Sequence, residues 1–462
     1  MIVSMNWVMI FSLIFQVVTG FLPAPSRLGL TTSQAGIYEV RIHPDQPLEI
    51  GDLISFEIYS SPGADLKDQQ ITVSLEASPV KQLGQGNFVP SAGNRFRAVL
   101  QWVWDTHGLE AGQYSLAFAI KPGGDEWQQM VELQPAPTIS LYRWAVGQTD
   151  CCNVHYITGT TAERDLARLL PQIEDQVRRV ENELKHTLAA KIEIDLLPRI
   201  LGQGGFTTDE IYLSYPEVNY LDSDLMTVLH HEVVHRVDAD MGGEFRPLIL
   251  IEGLAVYLTG GHYHSEPLVQ RAATLLDTGA YIPLPNLVSN FYNWQHEIGY
   301  LEAGSLVQFM VNTWGWDVYN NFYRDIHPIP GGDDAAAIDK ALQVHFGLSL
   351  RILDDRFQVY LKSFAINPDL REDVSLTADL FDAIRFYQQK WDPSAYFQEV
   401  WLPEPSQMRS RGIVADYLPR PGTEQNMPLE KLLISVGVDW QKGNFSAALQ
   451  QIQLIQRLLR IF

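Results

Sequence analysis

Two cysteines, adjacent at Cys151 and Cys152, are all the thiol chemistry that 462 residues hold. A disulfide between neighbours closes a strained ring, and no CxxC spacing occurs, so no disulfide framework is expected to organise the fold. The pair reads as two small buried residues at a strand start. Positive charge is scarce as well: 33 Lys and Arg stand against 55 Asp and Glu, a formal net charge of −22. So acidic a surface repels phosphate backbones, and no Lys/Arg stripe offsets it, which argues against nucleic-acid binding and otherwise serves solubility. No charged side chain precedes Arg27. The apolar run over residues 1–22 therefore reads as a signal peptide or membrane anchor, with Val18, Thr19 and Gly20 as a small-residue cleavage site. A basic start is missing, and a buried N-terminal helix is the plainer alternative. Export or anchoring implies an extracytoplasmic protein, secreted or membrane-associated.

What is present is apolar and patterned. Hydrophobic residues make up 46% and aromatics 11%, which supports packed structure, and the length exceeds one ordinary core. From 36 to 135 the period is two. Ile54, Phe56 and Ile58 alternate with polar neighbours, as do Ile71, Val73 and Leu75. Phe96, Ala98, Leu100, Trp102 and Trp104 share one face; Tyr114, Leu116, Phe118 and Ile120 share another. Such runs, separated by turns such as SSPGADL and KPGGDE, predict an antiparallel β-sandwich. QPAPTIS (134–140) reads as a linker. A mixed α/β region follows, with strands at NVHYITG, KIEIDLLP and EIYLSYP and a long amphipathic helix from Thr160. Thr160 and Glu163 have capping-box spacing there, and Pro171 is expected to kink the helix. Past Asp222 the apolar spacing is helical. After about Ser363 the chain reads as irregular before two closing helices. The expected layout is thus multidomain: a β-sandwich over 36–135, a mostly helical α+β domain over 138–363, and a helical tail over 364–462.

Chemistry concentrates in LMTVLHHEVVHRVDAD (225–240). His231 and His235 are four apart, so a helix presents both imidazoles to one ion. His230 has Val234 at its i+4 position and reads as a packed neighbour. A catalytic zinc takes three protein ligands and leaves one position for water, and Glu232 stands beside His231 as a base for that water. The third ligand is not Met241, which stands where a third histidine six residues after His235 is needed. Asp238 and Asp240 follow too closely and read as helix-end residues. Glu252 in LILIEGLAVYLTGG, with sixteen residues between it and His235, is the remaining candidate. A lone glutamate in an apolar helix is costly to bury unless it is paired or coordinates a metal.

HExxH followed by this E-G-x-A-x-Y segment resembles the gluzincin metallopeptidases, and more closely their peptidase MA-like group. The likeness spans about 153–363, and WVWDTHGLEAGQYSLAF separately resembles a hairpin of bacterial immunoglobulin-like modules. The resemblance implies a zincin-like domain with Zn2+ held by His231, His235 and Glu252, Glu232 as catalytic base, and a peptide or protein substrate. It implies further that GGFTTDEIYLSYP supplies an edge strand for backbone pairing with substrate. Tyr300 matches a tyrosine that stabilises the developing oxyanion in related aminopeptidases, and His296, one turn earlier, is a second candidate for that work. Plain packing is the alternative for both. The aminopeptidases' G-x-M-E-N segment is missing; Glu210 is the nearby carboxylate, and it lies in a strand pattern. His262 and His264 in GGHYH are candidates for a second metal or ordinary loop residues. The closing VDWQKGNFSAALQQIQLIQRLLRIF resembles half a tetratricopeptide unit.

The leading expectation is a zinc metallopeptidase hydrolysing peptide bonds. The alternatives are an envelope binding protein with a catalytically silent peptidase-like scaffold, and a zinc hydrolase of non-peptide amides.

Overall fold

The computed structural model describes residues 31–32, 38–43, 48–77, 79–91, 94–135, 142–198, 204–216, 219–221, 223–391, 409, 410, 412, 414, 417, 418 and 426–461. The expected leader at 1–22 and most of the expected linker lie outside them.

Alternating apolar residues do form a β-sandwich. Its strands are β1 (Thr31–Thr32), β2 (Tyr38–His43), β3 (Leu48–Glu49), β4 (Leu53–Ser60), β5 (Gln70–Leu75), β6 (Lys81–Asn87), β7 (Val89–Ser91), β8 (Arg95–Asp105), β9 (Gly112–Lys121) and β10 (Glu126–Gln134). They make two five-stranded sheets, ordered β1-β2-β4-β8-β7 and β3-β10-β9-β5-β6. Pairing is antiparallel except between β10 and β3. The inward faces bury Ile54, Phe56 and Ile58 against Leu116, Phe118 and Ile120, as the period-two pattern requires.

A third sheet follows, built from β11 (Trp144–Gln148), β12 (Cys152–Ile157), β13 (Ile192–Leu197), β14 (Gly205–Thr207) and β15 (Ile211–Ser214) in the order β11-β12-β13-β15-β14. β12, β13 and β15 run parallel. Their connection carries the helix α1 (Thr161–Leu184), which continues through Pro171. The capping box forms only in part. Glu163 accepts the Gly159 backbone N–H at 2.8 Å, but the Thr160 hydroxyl donates to the Ile157 carbonyl instead of capping the helix. The structure also corrects the reading of the cysteines: Cys151 and Cys152 are joined as a disulfide. Both are buried in the turn that enters β12, where neighbouring side chains are brought together.

The remainder is helical: α2 (Leu225–Met241), α3 (Leu248–Thr259), α4 (Leu268–Thr278), α5 (Leu284–Ser289), α6 (His296–Trp314), α7 (Trp316–Arg324), α8 (Asp334–Phe346), α9 (Leu350–Lys362), α10 (Pro368–Trp391), α11 (Asn426–Gln441) and α12 (Phe445–Ile461). The stretch after Ser363 is thus not irregular at its start. α10 spans 24 residues, begins on a proline suited to a first helical position, and buries Val374, Phe381, Ile384 and Tyr387 at helical spacing. Helices α10 to α12 share one continuous core with α2, α3 and α6.

Two contacts fix the geometry near the candidate site. Arg409 reaches back to the third sheet and binds Glu210 at 2.7 and 2.9 Å and Asp195 at 2.8 Å. Asp195 is fully buried there, and burial drives its carboxyl well above the usual range. Glu210 is therefore committed to Arg409. Elsewhere α3 crosses α6 so closely that a Cβ on Gly253 would lie 2.6 Å from the Ala303 carbonyl oxygen. Backbone cannot yield as a flexible side chain does, so the glycine beside Glu252 is required by packing. Gly253→Ala is expected to cost about 1–3 kcal/mol by overpacking, read from the midpoint of chemical denaturation at unchanged slope.

Candidate metal centre and cleft

α2 is started by Asp224, whose carboxylate accepts the Thr227 backbone N–H at 3.0 Å. From there Val228, Leu229, Val233, Val234 and Val237 bury one flank, and the residues between them face in different directions. His230 turns towards α1, with Nδ1 3.1 Å from Gln176 and Nε2 3.1 Å from Glu183. Asp238 binds Arg246 at 2.8 Å, Arg324 at 2.6 Å and the Tyr323 hydroxyl at 2.9 Å, and Asp240 meets His186 at 2.7 Å. None of the three joins the two remaining histidines.

His231, His235 and Glu252 come together. The Nε2 atoms of the two histidines are 3.0 Å apart, and Glu252 Oε2 lies 3.3 Å from one and 3.2 Å from the other. A tetrahedral cation with bonds of about 2.0–2.1 Å spaces its ligands roughly 3.3 Å apart, so the triangle fits zinc. The donor types fit too: two imidazoles and one carboxylate oxygen, their other sides buried. The remaining Glu252 oxygen, Oε1, accepts from the Tyr292 hydroxyl at 2.8 Å, a hydrogen bond that orients the carboxylate in the way outer partners orient ligands. Without a cation the three groups share charge unevenly. Burial lowers His231 to about 3. Burial also opposes a charge on His235, but Glu252 outweighs it and lifts that imidazole to about 9. Burial works against Glu252 in turn, yet His235 and His231 hold it well below the ordinary carboxylate range.

Glu232 sits beside the triangle. Its Oε2 accepts from the Thr207 hydroxyl at 2.8 Å, which ties it to β14, the edge of the third sheet. The strand comes so near that a Cβ on Gly205 would fall 3.0 Å from Glu232 Cγ and 2.8 Å from the Tyr212 carbonyl oxygen. Burial raises Glu232 to about 7, with His235 and Thr207 opposing.

A second cluster stands next to the first. Glu297 is buried, and its two oxygens meet the Nδ1 atoms of His262 at 3.1 Å and His296 at 2.8 Å. Both imidazoles lie against the Tyr300 ring, with centroids 4.2 and 4.3 Å away and planes within 22° of parallel. Tyr300 thus packs against two neighbouring histidines that one carboxylate fixes, and its ring is 6.1 Å from that of His231. Burial and then Glu252 raise its hydroxyl well above the ordinary value. His262 and His264 part company: His262 lines the cleft, while His264 packs edge-on against Trp440.

These groups line a cavity of about 400 Å³. His231, Glu232, His235, Glu252, His296 and Tyr300 all reach it, whereas Glu210 does not. Tyr292, Thr207, Glu297 and Arg385 were not singled out in the sequence. Glu297 had a visible cue, a carboxylate beside His296 at the start of a helix.

No family model matches this sequence, and neither does any curated protein. The solved structures to which this chain is similar include two peptidase-family proteins. A variant of the M1 zinc metallopeptidase from Deinococcus radiodurans is 11% identical, covers 72% of this chain and 92% of its own, and gives a TM-score of 0.29. An aminopeptidase N family protein from Idiomarina loihiensis is 9% identical over 69% of this chain and 70% of its own, with a TM-score of 0.27. Likenesses this slight leave the functional reading to the site's own geometry.

Zinc titrated into chelator-treated protein is expected to saturate at one ion per chain. At a hundredfold excess over Kd it should add about 2.7 kcal/mol to stability. His235→Ala and Glu252→Ala should abolish saturation, and Glu232→Gln should keep it. Elemental analysis and thermal melts read both, and failure to bind zinc in the unaltered protein would exclude the ligand set.

Proposed function

We propose that this protein is a zinc-dependent peptide hydrolase. The observation that carries the reading is the convergence of His231 Nε2, His235 Nε2 and Glu252 Oε2 beside the separate carboxylate of Glu232. Zinc, when bound, supplies a Lewis acid that acidifies water and polarises a carbonyl.

The chain's own residues would do the rest. The exposed edge of β14 would pair with the backbone of an extended peptide, adding one strand to the sheet. Thr207 would hold the Glu232 carboxylate towards the cleft. Glu232 would take a proton from the attacking water and return it to the leaving amine. Tyr300, packed against His262 and His296, would donate its O–H to the oxygen on which negative charge develops. With Nδ1 engaged by Glu297, His296 serves in this scheme to position Tyr300. Burial of both ligand and base carboxylates keeps water from screening these charges. The uncharged run at 1–22 supports export or membrane attachment of this activity, and among the described residues no helix is long and apolar enough to cross a membrane.

Glu232→Gln is expected to lower kcat by about 10²–10⁴ with bound zinc unchanged, and chelation should abolish cleavage of a broad peptide library reversibly. Tyr300→Phe should lower kcat by roughly 10² and leave KM nearly as it was. Stoichiometric zinc with no cleavage of any peptide would favour a silent scaffold, and cleavage confined to non-peptide amides would move the substrate class.

A further inference from the structure

Arg385 projects from α10 into the cleft that holds the histidine–glutamate triangle. Several buried or half-buried arginines of this chain are paired with carboxylates. Arg246 and Arg324 share Asp238, Arg271 binds Glu266, and Arg409 binds Asp195 and Glu210. Arg385 does not follow them. Among the described residues it makes no hydrogen bond or ion pair, and its Nε is shielded from solvent without a partner. An unpaired guanidinium group with a buried donor is a costly arrangement for a fold to keep. It suits a ligand that brings the missing acceptor.

The cleft's other charges agree on the sign of that ligand. Of the described residues lining it, the carboxylates are Glu232 and Glu252. Both Glu252 oxygens are engaged, by Tyr292 and by the two histidines, and Glu232 accepts from Thr207. Among the described residues no further acid lines the cleft to receive a substrate's ammonium group. Arg385 is felt by the His296 imidazole, and His296 and His262 line the same cleft, held by Glu297 through Nδ1. A guanidinium group offers a carboxylate two parallel N–H donors, which a water or a neutral amide cannot match.

We propose that Arg385 forms a carboxylate-recognition subsite of this cleft, taking the C-terminal carboxylate or an acidic side chain of an extended peptide. The proposal rests on the peptide-hydrolase reading for the nature of the ligand. It sets the substrate class apart from peptides recognised by a free N-terminal amine.

The test separates binding from turnover. Zinc-loaded Glu232→Gln protein is titrated calorimetrically with three blocked probes: N-acetyl-Ala-Ala as the free acid, its amide, and N-acetyl-Ala-Glu-amide. At least one acidic probe should bind about tenfold or more tighter than the neutral amide. The free acid winning identifies a C-terminal carboxylate, and the glutamyl amide winning identifies a side chain. Adding Arg385→Gln should bring the acid-to-amide ratio near one. Arg385→Lys should restore part of it, and melts and zinc content check that each variant is folded. In the protein with Glu232 intact, the acid-to-amide ratio of kcat/KM should fall in the same order. Equal affinity for all three probes, or a ratio untouched by Arg385→Gln, overturns the subsite. If the acidic preference is present but no peptide is cleaved, the hydrolase reading fails and the subsite stands. If peptides are cleaved without it, the subsite alone fails.

Discussion

A carboxylate in the middle of an apolar helix has to be answered, and the answer to Glu252 organises the centre of this protein. Desolvating it costs several kcal/mol unless charge and hydrogen bonds compensate. Two imidazoles from α2 meet one oxygen and a tyrosine hydroxyl meets the other. Those partners can arrive only if α3 lies close to α2 and to the turn that precedes α6, and Gly253 permits its close crossing of α6. The same few residues thus set helix packing and bring His231 Nε2, His235 Nε2 and Glu252 Oε2 to one point. Stability and chemistry are coupled here through a single side chain.

Glu297 repeats the device a short distance away with another result. It too is buried between two imidazoles, yet its oxygens meet Nδ1 atoms, one from each histidine. Its product is rigidity: two rings held in place, with the Tyr300 ring against both. Burial opposes its charge, while His262 and His296 keep it ionised far below the usual carboxylate range. One carboxylate orients ligands and the other orients a hydrogen-bond donor. Both achieve it by making loss of geometry cost a charge left unpaired in a dry place.

Much of this was legible in the sequence wherever spacing alone decides geometry. The i, i+4 pair His231 and His235 is fixed by helical pitch, and alternation along Ile54, Phe56 and Ile58 is fixed by the pleat. Glu252 could be read because a charge stands out in an apolar run. What distance in sequence separates could not be read. Glu297 and His262 meet across 35 residues, and nothing in NFYNWQHE distinguishes Tyr292 from its aromatic neighbours. α10 went unrecognised although its apolar residues keep helical spacing, and with it went Arg385. The adjacent cysteines were judged by ring strain, which says nothing of a turn that brings them together. Glu210 reads in the sequence as a carboxylate within a strand, and the partner that occupies it lies 199 residues downstream.

That last separation bears on how the protein is made. Arg409 follows Asp195 by 214 residues and Glu210 by 199. A ribosome adding roughly 5–20 residues per second needs about 10–40 s to cover that interval. Over most of it, the two histidines of α2 and the edge strand have already been made, while the guanidinium that pairs with Asp195 and Glu210 has not. The third sheet is therefore completed by some of the last chain to emerge. A product truncated before Arg409 would carry His231, His235 and Glu252 above a sheet whose acids Asp195 and Glu210 lack their guanidinium partner.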